Sequence, residues 1–156
     1  MKINMNPKTL HNLTVIPFVL LGVSAIILGF RWLISPEPWM LDESANVILL
    51  DESYSSLFSV DINRNLPKYL TLLYRFFGWW VITIGMLILS FTIVTRLGTP
   101  MARGFLQSVF FITLIGISII EWIFIPSSHF VYLTYGLWAL WAISVLSGIQ
   151  LKKYDI

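Results

Sequence analysis

The chain has 156 residues, of which 57% are hydrophobic and 12% are charged, and its mean hydropathy is +0.81. Soluble domains carry about 25% charged residues, so this composition is typical of a protein that lies in a lipid bilayer. The formal net charge is only +2, and cysteine is absent, which excludes disulfides, thiolate metal ligands, covalent haem attachment and cysteine nucleophiles.

The first apolar segment follows a short basic stretch that contains Lys2 and Lys8. Residues 13–30 are 18 uncharged residues in a row, longer than the apolar core of a signal peptide, and no small-residue cleavage site follows them. We therefore predict a retained membrane helix over residues 13–34.

The segment 35–68 is the only sizeable polar part of the sequence, and we predict that it forms an acidic loop outside the cytoplasm. The tetrapeptide Leu-Asp-Glu-Ser occurs in it twice, nine residues apart, so neither a helix nor a strand places both acidic pairs on one face. A stripe of apolar side chains favours one short amphipathic helix that lies over the bundle or on the lipid headgroups. The stripe consists of Val47, Leu50, Tyr54, Leu57 and Phe58.

Three further apolar segments are long enough to cross a bilayer. Residues 70–95 include 20 uncharged residues after Arg75, which correspond to about 30 Å of helix. Residues 105–125 are uncharged as far as Glu121, and residues 130–151 are 22 uncharged residues. The short loop between the second and third segments predicts that their helices are antiparallel neighbours. Residues 1–156 are then a single all-α domain, an integral membrane four-helix bundle of up-down-up-down topology.

The distribution of charge predicts the orientation of this bundle. The side that holds both termini and the loop between the second and third helices carries six cations and one acid, whereas the other side carries seven acids and four cations. Both termini are therefore expected in the cytoplasm. The cations on the cytoplasmic side are Lys2, Lys8, Arg96, Arg103, Lys152 and Lys153, and the acid is Asp155.

Charged residues near the outer ends of the predicted helices form the candidate site. Counted from the inner ring of cations, Arg31, Arg75 and Glu121 all lie roughly 27 to 35 Å above the inner edge. His129 enters the same layer from the loop before the fourth helix. We predict that these four residues form a polar cluster, which is either a structural ion pair between Arg75 and Glu121 or a ligand site. Separate contacts of each side chain with lipid headgroups are the alternative.

Sequence patterns of common enzymes are absent from the chain. It contains no Gly-x-Ser-x-Gly, no His-Glu-x-x-His and no glycine-rich phosphate loop. The two histidines, His11 and His129, are predicted on opposite sides of the membrane, which excludes a two-histidine metal or haem site. No basic stripe suits nucleic acid. We therefore predict no catalytic residue, no metal site, no cofactor and no nucleic-acid partner.

Glycines recur at helical spacing in the first two predicted membrane helices. Gly22 and Gly29 are seven residues apart, and so are Gly78 and Gly85. This spacing keeps each pair on one face of its helix, where small residues allow close packing. We predict that the two faces contact each other.

Two patterns occur around these helices: Gly22 and Gly29 followed by Pro36-Glu37, and Arg75-Phe-Phe-Gly78 followed by Gly85. In these patterns, which cover chiefly the first two helices, the chain resembles DoxX-like and related families of small bacterial four-helix membrane proteins. The resemblance implies an accessory protein of the bacterial inner membrane, sometimes encoded as a subunit of a larger oxidoreductase. It transfers no catalytic residue.

These observations favour a non-catalytic membrane protein that serves as an accessory, assembly or interaction subunit of a larger membrane complex. Its partners are expected to be membrane lipids and other membrane subunits or further copies of itself. One alternative is a small lipid- or quinone-binding protein or enzyme whose site is the outer polar cluster, and another is a homo-oligomeric pore. The expected contact surface is the acidic loop, through Asp42, Glu43, Asp51 and Glu52.

Reporters fused to either end of the chain test the predicted orientation. A reporter that is active only in the cytoplasm should be active at both ends, because an even number of crossings returns the chain to the side on which it began. Protease added from outside should cleave the acidic loop. Activity of an end-fused reporter on the far side, or cleavage of the loop from within, would contradict the orientation.

Overall fold

In the computed structural model, which describes residues 5–154, the chain consists of helices and turns without a strand over that range. The all-α prediction is confirmed there, while Lys2 and Asp155 lie outside the described residues. Single turns of 3-10 helix occur at Pro38–Asp42, Asp61–Asn63 and Lys152–Tyr154. The α-helices are α1 (Pro7–Ile34), α2 (Glu43–Leu50), α3 (Tyr54–Ser59), α4 (Leu66–Thr95), α5 (Pro100–Phe124) and α6 (Phe130–Leu151).

The helices α1, α4, α5 and α6 are long and apolar enough to cross a membrane. Few residues in the most apolar 18-residue stretch of these helices are buried inside the protein. The buried share of that stretch is 33% in α1 and 17% in both α5 and α6. Many large apolar side chains of these helices are exposed, and soluble monomers rarely expose so much apolar surface. Four long apolar helices are therefore confirmed by their length and composition.

Capping residues explain why α1 and α5 begin before the predicted apolar spans. Pro7 and Pro100 occupy the first helical positions, where the missing N–H of proline costs nothing. The preceding Asn6 and Thr99 each accept a hydrogen bond from a backbone N–H of the first turn, at 3.0 and 3.1 Å. The first turns of α1 and α5 contain polar residues, so a search for apolar segments does not include them.

The helices α1 and α4 pack closely through four glycines. Gly22 lies against Gly85 and Gly29 against Gly78, so the two helices run antiparallel. A Cβ atom at Gly29 would lie 2.5 Å from the carbonyl oxygen of Gly78, and one at Gly78 would lie 2.7 Å from the carbonyl oxygen of Gly29. Only glycine fits where two backbones are this close. The predicted contact between the two glycine faces is confirmed.

The helix α6 packs on α1 beside α4. Ser144 Oγ donates to the carbonyl oxygen of Thr14 at 2.9 Å, and toward the other end of the pair the rings of Trp32 and Phe130 lie 5.7 Å apart. Residue numbers rise along α1 as they fall along α6, so this pair is antiparallel as well.

The helix α5 packs chiefly on α6 and makes few contacts with α4, although only residues 96–99 separate it from α4. Polar side chains hold α5 and α6 together. Gln107 Nε2 donates to Ser144 Oγ at 3.2 Å, Trp138 Nε1 to Ser118 Oγ at 3.0 Å and Trp141 Nε1 to the Gln107 carbonyl oxygen at 2.9 Å. The prediction that the second and third long helices pack as neighbours is wrong for most of their length, because a short connection fixes their positions only at one end.

A hydrophobic cluster joins the long helices near the connection between α4 and α5. The rings of Phe18 and Phe110 meet edge to face at 5.8 Å. Apolar side chains of α4 and α6 pack around the cluster, so all four long helices contribute to it. Its fully packed members are Phe18, Leu21, Leu97 and Leu106.

The predicted amphipathic helix of the acidic loop is instead two helices, α2 and α3. Asp51 follows α2 in the left-handed region at φ 56°, which ends the helix. Ser53 then caps α3 by accepting a hydrogen bond from the backbone N–H of Ser56 at 3.1 Å. The apolar stripe is divided as a result, since Tyr54 is buried and Leu50 is exposed.

Replacement of Gly29 or Gly78 by Ala should destabilise the protein by about 1 to 3 kcal/mol, because the new Cβ meets backbone of the facing helix. Gly136→Ala is the matched control, since no atom lies within 4 Å of a Cβ at that position of α6. Thermal unfolding in mild detergent measures the difference. Equal midpoints for Gly29→Ala and Gly136→Ala would show that the backbones are not in contact.

Candidate functional site

Residues 35–65, which we call the cap, cover one end of the long helices. Trp39 and Tyr54 are buried in it, and the ring of Phe58 lies 5.7 Å from that of Trp39 and 5.6 Å from that of Tyr54. Burial raises the pKa of the Tyr54 hydroxyl to about 12, and the neighbouring Tyr74 adds to this shift. The hydroxyl is therefore neutral at physiological pH. The packing of the three rings gives the cap an aromatic core of its own.

Asp42 fastens the cap to the start of α6. Its buried carboxylate accepts a hydrogen bond from Ser128 Oγ at 2.8 Å through Oδ2. The other oxygen, Oδ1, has no hydrogen-bond partner within residues 5–154 and lies 3.4 Å from His129 Nδ1. Ser128 Oγ in turn accepts from the backbone N–H of Phe130, the first residue of α6, at 3.1 Å. The carboxylate, the hydroxyl and the helix start form one connected unit.

A second attachment joins the cap to α4. Asn46 on α2 donates through Nδ2 to the hydroxyl of Tyr74 at 3.2 Å and to the carbonyl oxygen of Trp39 at 3.3 Å. The same amide group thus links two parts of the cap and joins them to α4, so α2 cannot leave α4 without losing the hydrogen bond to Tyr74. The cap is therefore held from two long helices.

The acidic residues of the predicted contact surface divide into two groups. Asp42 faces inward and anchors the cap, while Glu43, Asp51 and Glu52 are exposed. Of these four acids, only the last three are exposed to the surroundings of the protein.

The structure brings two members of the predicted polar cluster together. Arg31, in the last turn of α1, and His129 line one cleft between α1, the cap and α6, with a volume of about 200 Å³. The other lining residues are Leu28, Trp32, Leu41, Phe130 and Leu133.

The other two members of the predicted cluster lie elsewhere. Glu121 is buried between α5 and α6, where its Oε1 accepts a hydrogen bond from Thr134 Oγ1 at 2.8 Å. Arg75 is exposed on α4. In the part of the chain that the structure describes, the expected ion pair between Arg75 and Glu121 is not formed.

Arg31 and Arg75 nevertheless lie at almost the same height along the helices. Arg31 is two residues beyond Gly29 in α1, and Arg75 is three residues before Gly78 in the antiparallel α4, toward the same end. At about 1.5 Å per residue their heights differ by only about 2 Å. The two arginines therefore share depth and exposure and differ in their surroundings.

A second polar group lies at the end of the bundle opposite the cap. Arg103, one of the cations used to predict orientation, is buried, and its Nη1 donates to the carbonyl oxygens of Leu97 and Gly98 at 3.2 and 3.3 Å. These carbonyls follow the end of α4, where helical hydrogen bonds stop. Arg103 thus stabilises the turn between α4 and α5.

The uncharged partners Ser128 and Thr134 are the site residues that sequence reasoning missed. Serine and threonine are frequent in this sequence, both in the helices and in the turns, and a search for opposite charges does not identify them. Chemically, the cleft offers a guanidinium group and an imidazole beside apolar walls, a donor set that suits an anionic group on an apolar molecule. Among residues 5–154, no three His, Asp or Glu side chains are grouped closely enough to hold a metal ion.

No protein-family model, curated protein or solved structure matches this chain. The resemblance to DoxX-like proteins stays a prediction.

Asp42→Ala should loosen the cap by about 1 to 3 kcal/mol, because the Ser128 hydroxyl loses its buried acceptor. Hydrogen exchange should accelerate over residues 43–65 and stay unchanged in the long helices. Glu52→Ala is the control, since that acid is exposed on the same cap. Equal exchange in the two variants would refute the anchoring role.

Proposed function

We propose that the chain is an integral membrane protein whose four long helices cross the bilayer in up-down-up-down order, with both termini in the cytoplasm and the cap outside. The antiparallel pairs α1 and α4, α1 and α6, and α5 and α6 support this order. The outward apolar surface supports insertion, because lipid would cover it. The excess of cations at the end opposite the cap supports the orientation.

We further propose that the protein is a non-catalytic accessory or assembly subunit that binds another membrane protein through the cap. One observation carries this proposal. The cap fills its own core with aromatic rings, yet aliphatic side chains point away from it: Ile62 is 88% exposed and Ile48 is 68% exposed. These side chains do not contribute to the aromatic core, and a partner would bury them.

The charge of the cap favours a protein over the lipid surface as the occupant. The cap carries six acids and a single cation, Arg64. Anionic lipid headgroups repel an acidic surface, so immersion of Ile48 and Ile62 in the headgroup layer is disfavoured. A membrane protein with a basic and partly apolar surface on the outer side complements both features of the cap.

Co-purification in mild detergent tests this proposal. The Ile48→Ser, Ile62→Ser double variant should recover a stoichiometric membrane partner about tenfold less well than the unaltered chain, because two apolar contacts are lost. The Val94→Ser, Met101→Ser double variant is the matched control, since both side chains are exposed at the opposite end. It should recover the partner fully. Asp51→Lys should also reduce recovery if the partner surface is basic.

The remaining outcomes of this experiment overturn the proposal. Recovery of a ring of identical chains would favour a homo-oligomeric pore. Equal recovery from both double variants would remove the cap as the contact surface.

A further inference from the structure

The cleft between α1 and α6 combines two basic side chains, Arg31 and His129, with apolar lining residues. α1 contributes Arg31 together with Leu28 and Trp32, and α6 contributes its first residues. Leu41 of the cap also lines the cleft. An apolar molecule with one anionic group would satisfy both parts of this lining.

The floor of the cleft is held in place before any ligand arrives. Trp32 is buried, with its ring 5.0 Å from the ring of Phe77 on α4 and 5.7 Å from that of Phe130 on α6. Packing against two helices fixes the indole, and with it the spacing of α1 and α6 at this level. A preformed cleft loses little entropy when a ligand binds.

Arg31 is the strongest donor available to a ligand. Within residues 5–154 its guanidinium forms neither an ion pair nor a hydrogen bond with another side chain. Five N–H groups are therefore available, in an arrangement that matches phosphate. An arginine near the end of an apolar helix often reaches the headgroups by itself, but Arg31 shares its cleft with a second basic residue from another helix.

His129 is the second polar side chain that lines the cleft. Its Nδ1 atom lies 3.4 Å from Asp42 Oδ1 without a hydrogen bond between them, and Nε2 can donate to a ligand when it carries a proton. Backbone amides do not compete for this role, because the N–H groups of Phe130, Val131 and Tyr132 already bond to Ser128 or His129. An anion in the cleft would be bound by side chains alone.

The volume of the cleft limits what it holds. Sites for whole small molecules span about 300 to 1,000 Å³, and this cleft has about 200 Å³. It admits a phosphate with its nearest atoms, while an attached chain must lie along the outward apolar faces of α1 and α6. We propose that the cleft binds the phosphate of an anionic phospholipid, with Arg31 as principal donor and His129 as second donor. This inference rests on the proposed membrane insertion and not on the protein partner.

Arg31→Gln tests the proposal. Arg75→Gln is the matched control, because Arg75 lies at almost the same height, is also exposed and is outside the cleft. Native mass spectrometry of the full chain in mild detergent compares phosphatidylglycerol with phosphatidylcholine. The unaltered chain and Arg75→Gln should prefer phosphatidylglycerol by about fivefold, as expected for one exposed charge pair. Arg31→Gln should lose that preference while keeping the same melting temperature.

Three results would overturn the proposal. The first is equal loss of preference in both variants, which would show a general charge effect. The second is no preference in the unaltered chain. The third is displacement of phosphatidylglycerol by an equal concentration of inorganic phosphate, which would assign the cleft to a soluble anion. Recovery of the protein partner by Arg31→Gln, measured in parallel, separates failure of this inference from failure of the proposed function.

Discussion

The close approach of the α1 and α4 backbones determines where the other elements lie. Among apolar helices in lipid, association gains little from the hydrophobic effect and depends on close packing. Gly22, Gly29, Gly78 and Gly85 remove the side chains that would separate the two backbones. The contact fixes the register of the pair and sets Arg31 level with Arg75. It also leaves the rest of α1 free to receive α6, which in turn carries α5.

The cap depends on this arrangement because its two attachments lie on different helices. Asn46 bonds to Tyr74 on α4, and Asp42 bonds to Ser128 just before α6. Both helices pack on α1, so the distance between the attachments follows from the packing of α1. The cap therefore holds its outward side chains in a defined position relative to the bundle. A surface fixed in this way loses little conformational entropy on binding a partner.

The sequence alone was enough to predict features that depend on a single segment, such as a long helix, or on two matching motifs, such as the paired glycines. The four long helices follow from apolar length, and the contact of α1 with α4 follows from the spacing of the glycines. The partner of α5 was not predictable, because a short connection restricts only the end of a helix, whereas Gln107 and Ser118 find their partners on α6. The prediction of one helix in the loop was wrong because the apolar stripe runs across a helix break. Asp51 ends α2 through its left-handed backbone, and the Ser53 side chain caps the next helix.

Of the basic residues in the predicted cluster, Arg31 and His129 line the cleft and Arg75 lies outside it. The partners of the acids were not predictable. From charge alone, each acid is expected to meet a base, but the hydrogen bonds to these acids come from hydroxyl groups. Glu121 accepts from Thr134, and Asp42 accepts from Ser128 while its other oxygen lies 3.4 Å from His129. A hydroxyl satisfies a carboxylate oxygen without moving a second charge into an apolar region, where charges are costly. Since the acids find partners among hydroxyl groups, neither is used to neutralise Arg31. That arginine keeps its donors for a group from outside the chain, and a cleft with apolar walls lies directly beside it.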